Sequence, residues 1–365
     1  MQRTQRRVHV MALAVALTTV ALPVAPAAAT STATEIEVVA SGLNAPRGLV
    51  YDRSKDRVLV AEAGVATQNN GPCTNLGRTQ WCYGPSGSVF EYTATGQKRI
   101  VTGLPSIANS AKDTVQGLHD ITLYKGRKQL LFGMNGPQPF HDGFGPDAAL
   151  LGHSATFTDA GQLVGVGDLV GYEQANNPEP DSVRSNPFGM YSDGDGNIVA
   201  DAGGNTLLCV GHDGTVTTLA VFGPRIVAGE YIDSVPMAVT KANGAYYVAE
   251  LSGFPYYQNQ ARIYRVKPGQ APTIWADGFT NIVDIAFDAQ GRLLVLELAK
   301  NGLLDPDQTG RLVRVEGDGT RTVLATTGLT NPGGIAVGPG NVVYVTNKTA
   351  TAGGAGQLLK LTLHQ

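Results

Sequence analysis

Charge is scarce in this chain. Only 16% of its 365 residues are Asp, Glu, Lys or Arg, and no Lys/Arg cluster appears. A footprint for nucleic acid or an anionic membrane surface is therefore missing. No G-x-S-x-G nucleophile elbow, no H-E-x-x-H and no C-x-x-C occurs, so the common serine-hydrolase, zincin and dithiol chemistries have no motif to stand on. Beyond the N-terminus no apolar run is long enough to span a bilayer. Helical patterns alternating with strands, which a parallel α/β sheet requires, are also absent. What is abundant is glycine. The chain has 46, close to twice the average share of about 7%. No Gly-X-Y period accompanies it, which excludes collagen. The 42% hydrophobic content is too high for a disordered chain.

The first 29 residues form a separate unit. Arg3, Arg6 and Arg7 precede an apolar stretch from Val8 to Val24, and Ala27-Ala28-Ala29 supplies an A-x-A cleavage site. This pattern predicts a secretory signal peptide over residues 1–29. An uncleaved membrane anchor is the competing reading, weakened by the short run and by Pro23 and Pro26. The flanks of Arg6-Arg7 favour Sec over Tat export. Cleavage removes three Arg and takes the formal net charge from −3 to −6. The mature protein, residues 30–365, is expected to be secreted or extracytoplasmic, without a transmembrane anchor, and monomeric. Cys73 and Cys82 lie nine apart in a Gly/Asn/Pro-rich stretch. In an oxidising compartment they are expected to form a disulfide, with two unpaired thiols as the alternative. Cys209, in Leu207-Leu208-Cys209-Val210, reads as a small buried apolar residue.

Self-comparison reveals six repeats. A phrase of the form Pro-x-Gly-apolar recurs, degraded in places, at Pro46, Leu118, Pro187, Pro236, Ile282 and Pro332. Each phrase leads into a polar turn, a short β-branched strand, a second strand, an Asp-Gly turn and a further strand. Four short strands per repeat make one propeller blade. The sixth repeat stops at its third strand, Leu358 to Leu363, whereas Ile36 to Leu43 resembles the fourth strands of other repeats. The expected fold is all-β: a single six-bladed β-propeller of four-stranded blades, the N-terminal strand completing the last blade. An open array of sheets would leave a free edge.

The two faces of such a ring differ. The long insertions are Gly64 to Gly87, Gly133 to Gly152, Leu251 to Ala261 and Tyr172 to Ser185, all on one face. They carry Trp81, Tyr83, Phe140, His141, Phe144, Phe254, Tyr256 and Tyr257. Such loops on a rigid scaffold commonly bind ligands, although they can also simply cap the barrel end. Two polar rings are expected on the same face. One follows the second strands: Glu62, Met134, Asp201, Glu250, Glu297 and Asn347. The other enters the first strands: His119, Asp120, Asn186, Asn281, Asp284 and Asn331. Asp120 and Asp284 belong to opposite repeats and are the candidate ligands for Ca²⁺ or another divalent cation. The competing reading makes these groups structural, since Asp and Asn before a strand cap their own turns. His119 is a candidate general base or a hydrogen-bonding residue. Asp193-Gly194-Asp195-Gly196-Asn197 lacks the length and terminal Glu of an EF-hand and reads as a hairpin turn. Gly203-Gly204-Asn205 has no helix after it to cradle a phosphate. Asn347-Lys348-Thr349 is a formal glycosylation sequon.

Several phrases together resemble the ScyD/ScyE family of exported NHL-like propellers. They are Val60 to Gly64, Gly71-Pro72-Cys73, Cys82 to Pro85, Gly117 to Asp120, Tyr172-Glu173, Asn176 to Pro178 and Asp181-Ser182. They continue with Ser185 to Gly189, Val199 to Asn205, Gly253-Phe254-Pro255 and Gly278 to Asp284. The resemblance covers nearly the whole mature chain. It implies export and a propeller fold but no settled activity. Three functions compete. The first is a binding or scaffold module taking a small molecule, glycan or protein on the loop-rich face. The second is a divalent-metal-dependent hydrolase resembling the gluconolactonases, with Asp120, Asp284, Glu62 or Glu297 as base. The third, a quinoprotein dehydrogenase, ranks last because the loop face shows no set of Lys/Arg to hold a quinone tricarboxylate.

Overall fold

The computed structural model describes residues 34–158, 160–180 and 182–363. The expected leader, residues 1–29, lies outside them. The rest is a ring of six antiparallel blades. The innermost strands are Pro46–Asp52, Leu118–Tyr124, Pro187–Asp193, Pro236–Ala242, Ile282–Phe287 and Gly334–Val337, in blades 1 to 6. In blade 3, Gly196–Asp201, Thr206–Val210 and Val216–Val221 follow outward. The other blades repeat this order, and apolar clusters fill the wedges between them.

The last blade is closed by the start of the chain. Strand Glu35–Leu43 pairs antiparallel with Gly356–Thr362, from Glu35 opposite Thr362 to Leu43 opposite Gly356. This strand buries Ala40 and Leu43 and covers the edge that the sixth repeat leaves open.

The recurring Pro-x-Gly phrase has a structural cause. The innermost strand borders the channel, so its first residue needs no ladder N–H and tolerates Pro. Its register then slips at the same place in five blades, at Gly48, Asp120, Gly189, Ala238 and Asp284. At this bulge adjacent blades approach closely. A methyl group on Gly189 would lie 2.3 Å from the Met237 carbonyl oxygen. Only small residues or an inward-turned Asp occupy the position.

The loop-rich face is built unevenly. In blade 1 the two outer strands, Thr79–Thr93 and Gly96–Asn109, run on past the blade and carry a short hairpin strand, Cys73–Leu76. Cys73 faces Cys82 directly in that hairpin and is disulfide-bonded to it. Trp81 and Tyr83 then pack with Phe140, Phe144, Met134 and Leu151 from blade 2. These four aromatics are buried in a roof and are not displayed for binding. Cys209 is half-buried, not fully buried as expected. The long connection after blade 2 opens with a helix, Leu169–Asn176, whose first turn is capped by the Asp168 carboxylate accepting from Gly171 N.

The closing strand generates a prediction. Leu43 is fully buried, so Leu43→Ala should cost about 2–5 kcal/mol, read from the denaturation midpoint. Deleting residues 34–43 should expose the Gly356–Thr362 edge and give self-association in size-exclusion chromatography. A stable monomer after deletion would contradict the closure.

Candidate functional site

The acidic ring at the ends of the second strands is fully buried within the blades. Glu62 accepts from Asn44 N at 2.7 Å and is gripped by Arg99 Nε at 2.7 Å and Nη2 at 2.8 Å. Asp201 accepts from Ser185 Oγ, Asn186 N, Gly203 N and Gly204 N at 2.5–3.1 Å. Glu250 meets Ser234 Oγ at 2.6 Å and Arg225 Nη2 at 2.8 Å. Glu297 accepts from Thr280 N at 2.8 Å and from Arg311 Nε at 2.5 Å. Asn347 accepts from Thr330 N at 2.7 Å. In every case the donor includes the segment arriving from the preceding blade. These side chains are clamps that seat that segment. Burial pushes the carboxyls of Asp201 and Glu250 up, and their hydrogen bonds and the Arg225 charge oppose it.

The second ring divides. Asp120 and Asp284 face the channel at the bulge, where a cavity of about 230 Å³ begins, walled by Val50, Met190, Val239, Ile285 and Ile335. Each carboxylate is a strut between blades. Asp120 accepts from its own neighbour Ile121 N and from Met190 N of blade 3, both at 2.7 Å. Asp284 accepts from Ile285 N and from Ile335 N of blade 6, both at 2.8 Å. Burial pushes Asp284 up to about 7, and burial with the Asp284 charge holds Asp120 well above the usual carboxylate range.

His119 lies one residue nearer the loop face. It is buried, with Nδ1 at 3.0 Å from the Pro187 carbonyl and its ring 4.8 Å from that of Phe188. Burial and the Arg47 charge press it down to about 3, so it stays a neutral hydrogen-bonding residue. Arg47 was not anticipated from the sequence. Burial lowers it to about 10, and it donates to the Val115 carbonyl at 3.0 Å. Asn281 and Asn331 have left-handed backbone, φ 47° and 39°, which Asn tolerates better than most residues. Their amides serve the Leu251 carbonyl and Gln308 Oε1. Both oxygens of each channel Asp accept a backbone amide, and among the described residues no three His, Cys, Asp or Glu converge at metal-holding range.

Asn186 belongs elsewhere. It lines a cavity of about 270 Å³ on the loop-rich face over blades 3 and 4, with Asn135, Glu179, Arg184, Phe254 and Tyr256. Its Oδ1 is buried without a partner. Behind the Gly203-Gly204 wall lies Glu173, on the helix Leu169–Asn176. Its Oε2 is also buried without a partner. A methyl group on Gly204 would lie 2.9 Å from that oxygen and 3.5 Å from the unpartnered Thr206 Oγ1. Burial, Asp201 and Glu179 push Glu173 up to about 7. Asn177, suitably oriented, donates to Glu173 Oε1 at 3.0 Å. Glu173 was visible in the sequence only as part of a shared phrase. Its contact with blade 3 depends on the helix fold. Phe254 is 68% exposed at the rim.

The channel strut yields a pH prediction. The folded pKa of Asp284 is raised above its unfolded value, so the folded state holds the extra proton between about pH 4 and 7. Its stabilising contribution is full below that window and is lost as pH rises through about 7. Asp284→Asn sets an NH₂ against one backbone N–H. It should cost about 1–3 kcal/mol and flatten the pH dependence of stability across this window. An unchanged profile would refute the assignment.

No protein-family model matches the chain, and no curated protein matches it in sequence. Solved structures do. A protein assigned as a gluconolactonase is 12% identical, with TM-score 0.51, over 91% of this chain and 93% of its own. The soluble aldose sugar dehydrogenase of Escherichia coli is 15% identical, with TM-score 0.51, over 91% and 100%. A regucalcin from Agrobacterium tumefaciens is 11% identical, with TM-score 0.51, over 90% and 94%. At these identities the likeness is one of fold: this chain is a six-bladed β-propeller.

Proposed function

We propose that this chain is an extracytoplasmic binding protein of ScyD/ScyE type, which holds a small polyhydroxylated molecule in the cavity on its loop-rich face. One observation carries the reading. A cavity near the small end of the usual ligand range of about 300–1,000 Å³ combines the unpartnered Asn186 Oδ1 with an exposed aromatic ring, Phe254. An unpaired buried acceptor costs about 1–3 kcal/mol, which a ligand O–H would offset once the Asn186 side chain turns its Oδ1 into the cavity. Planar amides beside an aromatic face suit a ring with hydroxyls on its edge and C–H bonds on its faces. Some of the phrases shared with the ScyD/ScyE family border this cavity: Asn186, Ala202, Gly203, Asn205, Gly253 and Phe254 line it. The Cys73–Cys82 bond accords with an oxidising compartment. No helix among the described residues is long and apolar enough to cross a membrane.

The test is calorimetric titration with aldohexoses, hexosamines and sugar acids. At least one class should bind, and Asn186→Ala and Phe254→Ala should each weaken it about tenfold, equivalent to roughly 1.4 kcal/mol. Phe254 is exposed, so its variant should keep the native melting temperature. No binding by any class, or binding indifferent to both substitutions, would refute the reading.

A further inference from the structure

The opposite face carries a second concavity. Between blades 2 and 3 a groove of about 950 Å³ opens among the short turns. The apolar packing of this wedge centres on Leu131, Met190, Val199 and Leu208 and reaches the groove through Val166 and Val210. Beside these two lies a polar floor. Gln129 Nε2 donates to Thr156 Oγ1 at 2.9 Å, and Asn197 Nδ2 to Gln129 Oε1 at 3.4 Å. Ser192 Oγ in turn donates to Asn197 Oδ1 at 2.5 Å. Gln129 and Asn197 are both buried. This hydrogen-bonded floor lies beside Val166 and Val210, which also line the groove, so a ligand there meets polar partners next to an apolar strip.

The walls give the sign of that ligand. Lys55, Lys125, Arg127 and His212 line the groove, in a chain whose overall charge is negative. The Tyr124 ring organises two of them. The Lys125 ammonium lies 5.1 Å from its centroid, and the His212 ring stacks at 5.2 Å. Holding these side chains in place lowers the ordering cost of binding. The acids nearby have partners of their own. Asp213 accepts from Thr215 N at 3.0 Å within its turn, Asp193 pairs with Lys241 Nζ of blade 4 at 2.5 Å, and the exposed Asp195 lies 3.8 Å from the same ammonium.

We infer that this groove between blades 2 and 3 is a binding site for a small molecule bearing a tetrahedral oxyanion ester, with Lys55 and Lys125 as the principal charge partners. A phosphate ester and a sulfate ester share this chemistry.

The test titrates the protein with phenyl phosphate and phenyl sulfate, with phenol as the neutral comparator. One or both esters should bind, phenol should not, and affinity should fall as salt is raised from about 50 to about 200 mM. The ester that binds identifies the source. Lys55→Gln with Lys125→Gln should weaken binding about tenfold or more. Lys98→Gln with Lys267→Gln, the same loss of two charges at exposed positions that do not line the groove, should not. Phe254→Ala, on the other face, should also leave ester binding unchanged. This keeps the site independent of the loop-face cavity. All substituted positions here are exposed, so a melting temperature near wild type is expected and confirms folding. Binding of neither ester, equal binding of phenol, or indifference to the double lysine substitution would overturn the inference.

Discussion

The ring depends on a buried clamp at the end of each second strand. A carboxylate or carboxamide there holds the backbone or hydroxyl of the segment that has just crossed from the preceding blade. Such a group is costly to bury unless its lone pairs are filled, so the crossing segment can settle in few geometries. Glu62, Glu250 and Glu297 add an arginine, from Arg99, Arg225 and Arg311 respectively. Asp201 uses only hydroxyl and amide donors. Blade 2 is the exception. Met134 stands in place of the acid, and Gln116 Oε1 accepts from Asn135 N, reversing the direction of the clamp. Over this blade the aromatic roof closes, with Met134 in its core.

With the crossings fixed, the innermost strands are driven together at their bulges. Four blades meet this crowding with Gly48, Gly189, Ala238 and Gly334. The other two turn a carboxylate inward to tie one blade to the next. Each of these carboxylates accepts two backbone amides. The two residues that the sequence offers as metal ligands serve in the structure as struts between blades.

The functional asymmetry follows from what each insertion covers. The loops of blades 1 and 2 spend their aromatics on packing one another. Those over blades 3 and 4 leave Phe254 exposed above a polar cavity. On the far face a groove opens between blades 2 and 3, where the apolar cluster ends at Val166 and Val210 beside the polar Gln129 and Asn197.

The amino-acid sequence alone determined the blade count, the closing strand and the elaborated face. These depend on local turn chemistry and on repetition, both visible along the chain. It also placed Cys73 and Cys82 together, because they lie nine apart in a Gly/Asn/Pro-rich stretch that forms a short hairpin. It named Asp120, Asp284 and Asn186 as a group but could not separate them. Their separation depends on which neighbouring blade supplies an amide. Asp120 and Asp284 find Met190 N and Ile335 N across the wedge, whereas Asn186 Oδ1 finds nothing. Arg47, Glu173 and the pairing of Glu250 with Arg225 were likewise decided by the tertiary structure. The reason is physical. Whether a buried polar atom is satisfied depends on donors dozens of residues away, and no local pattern records them.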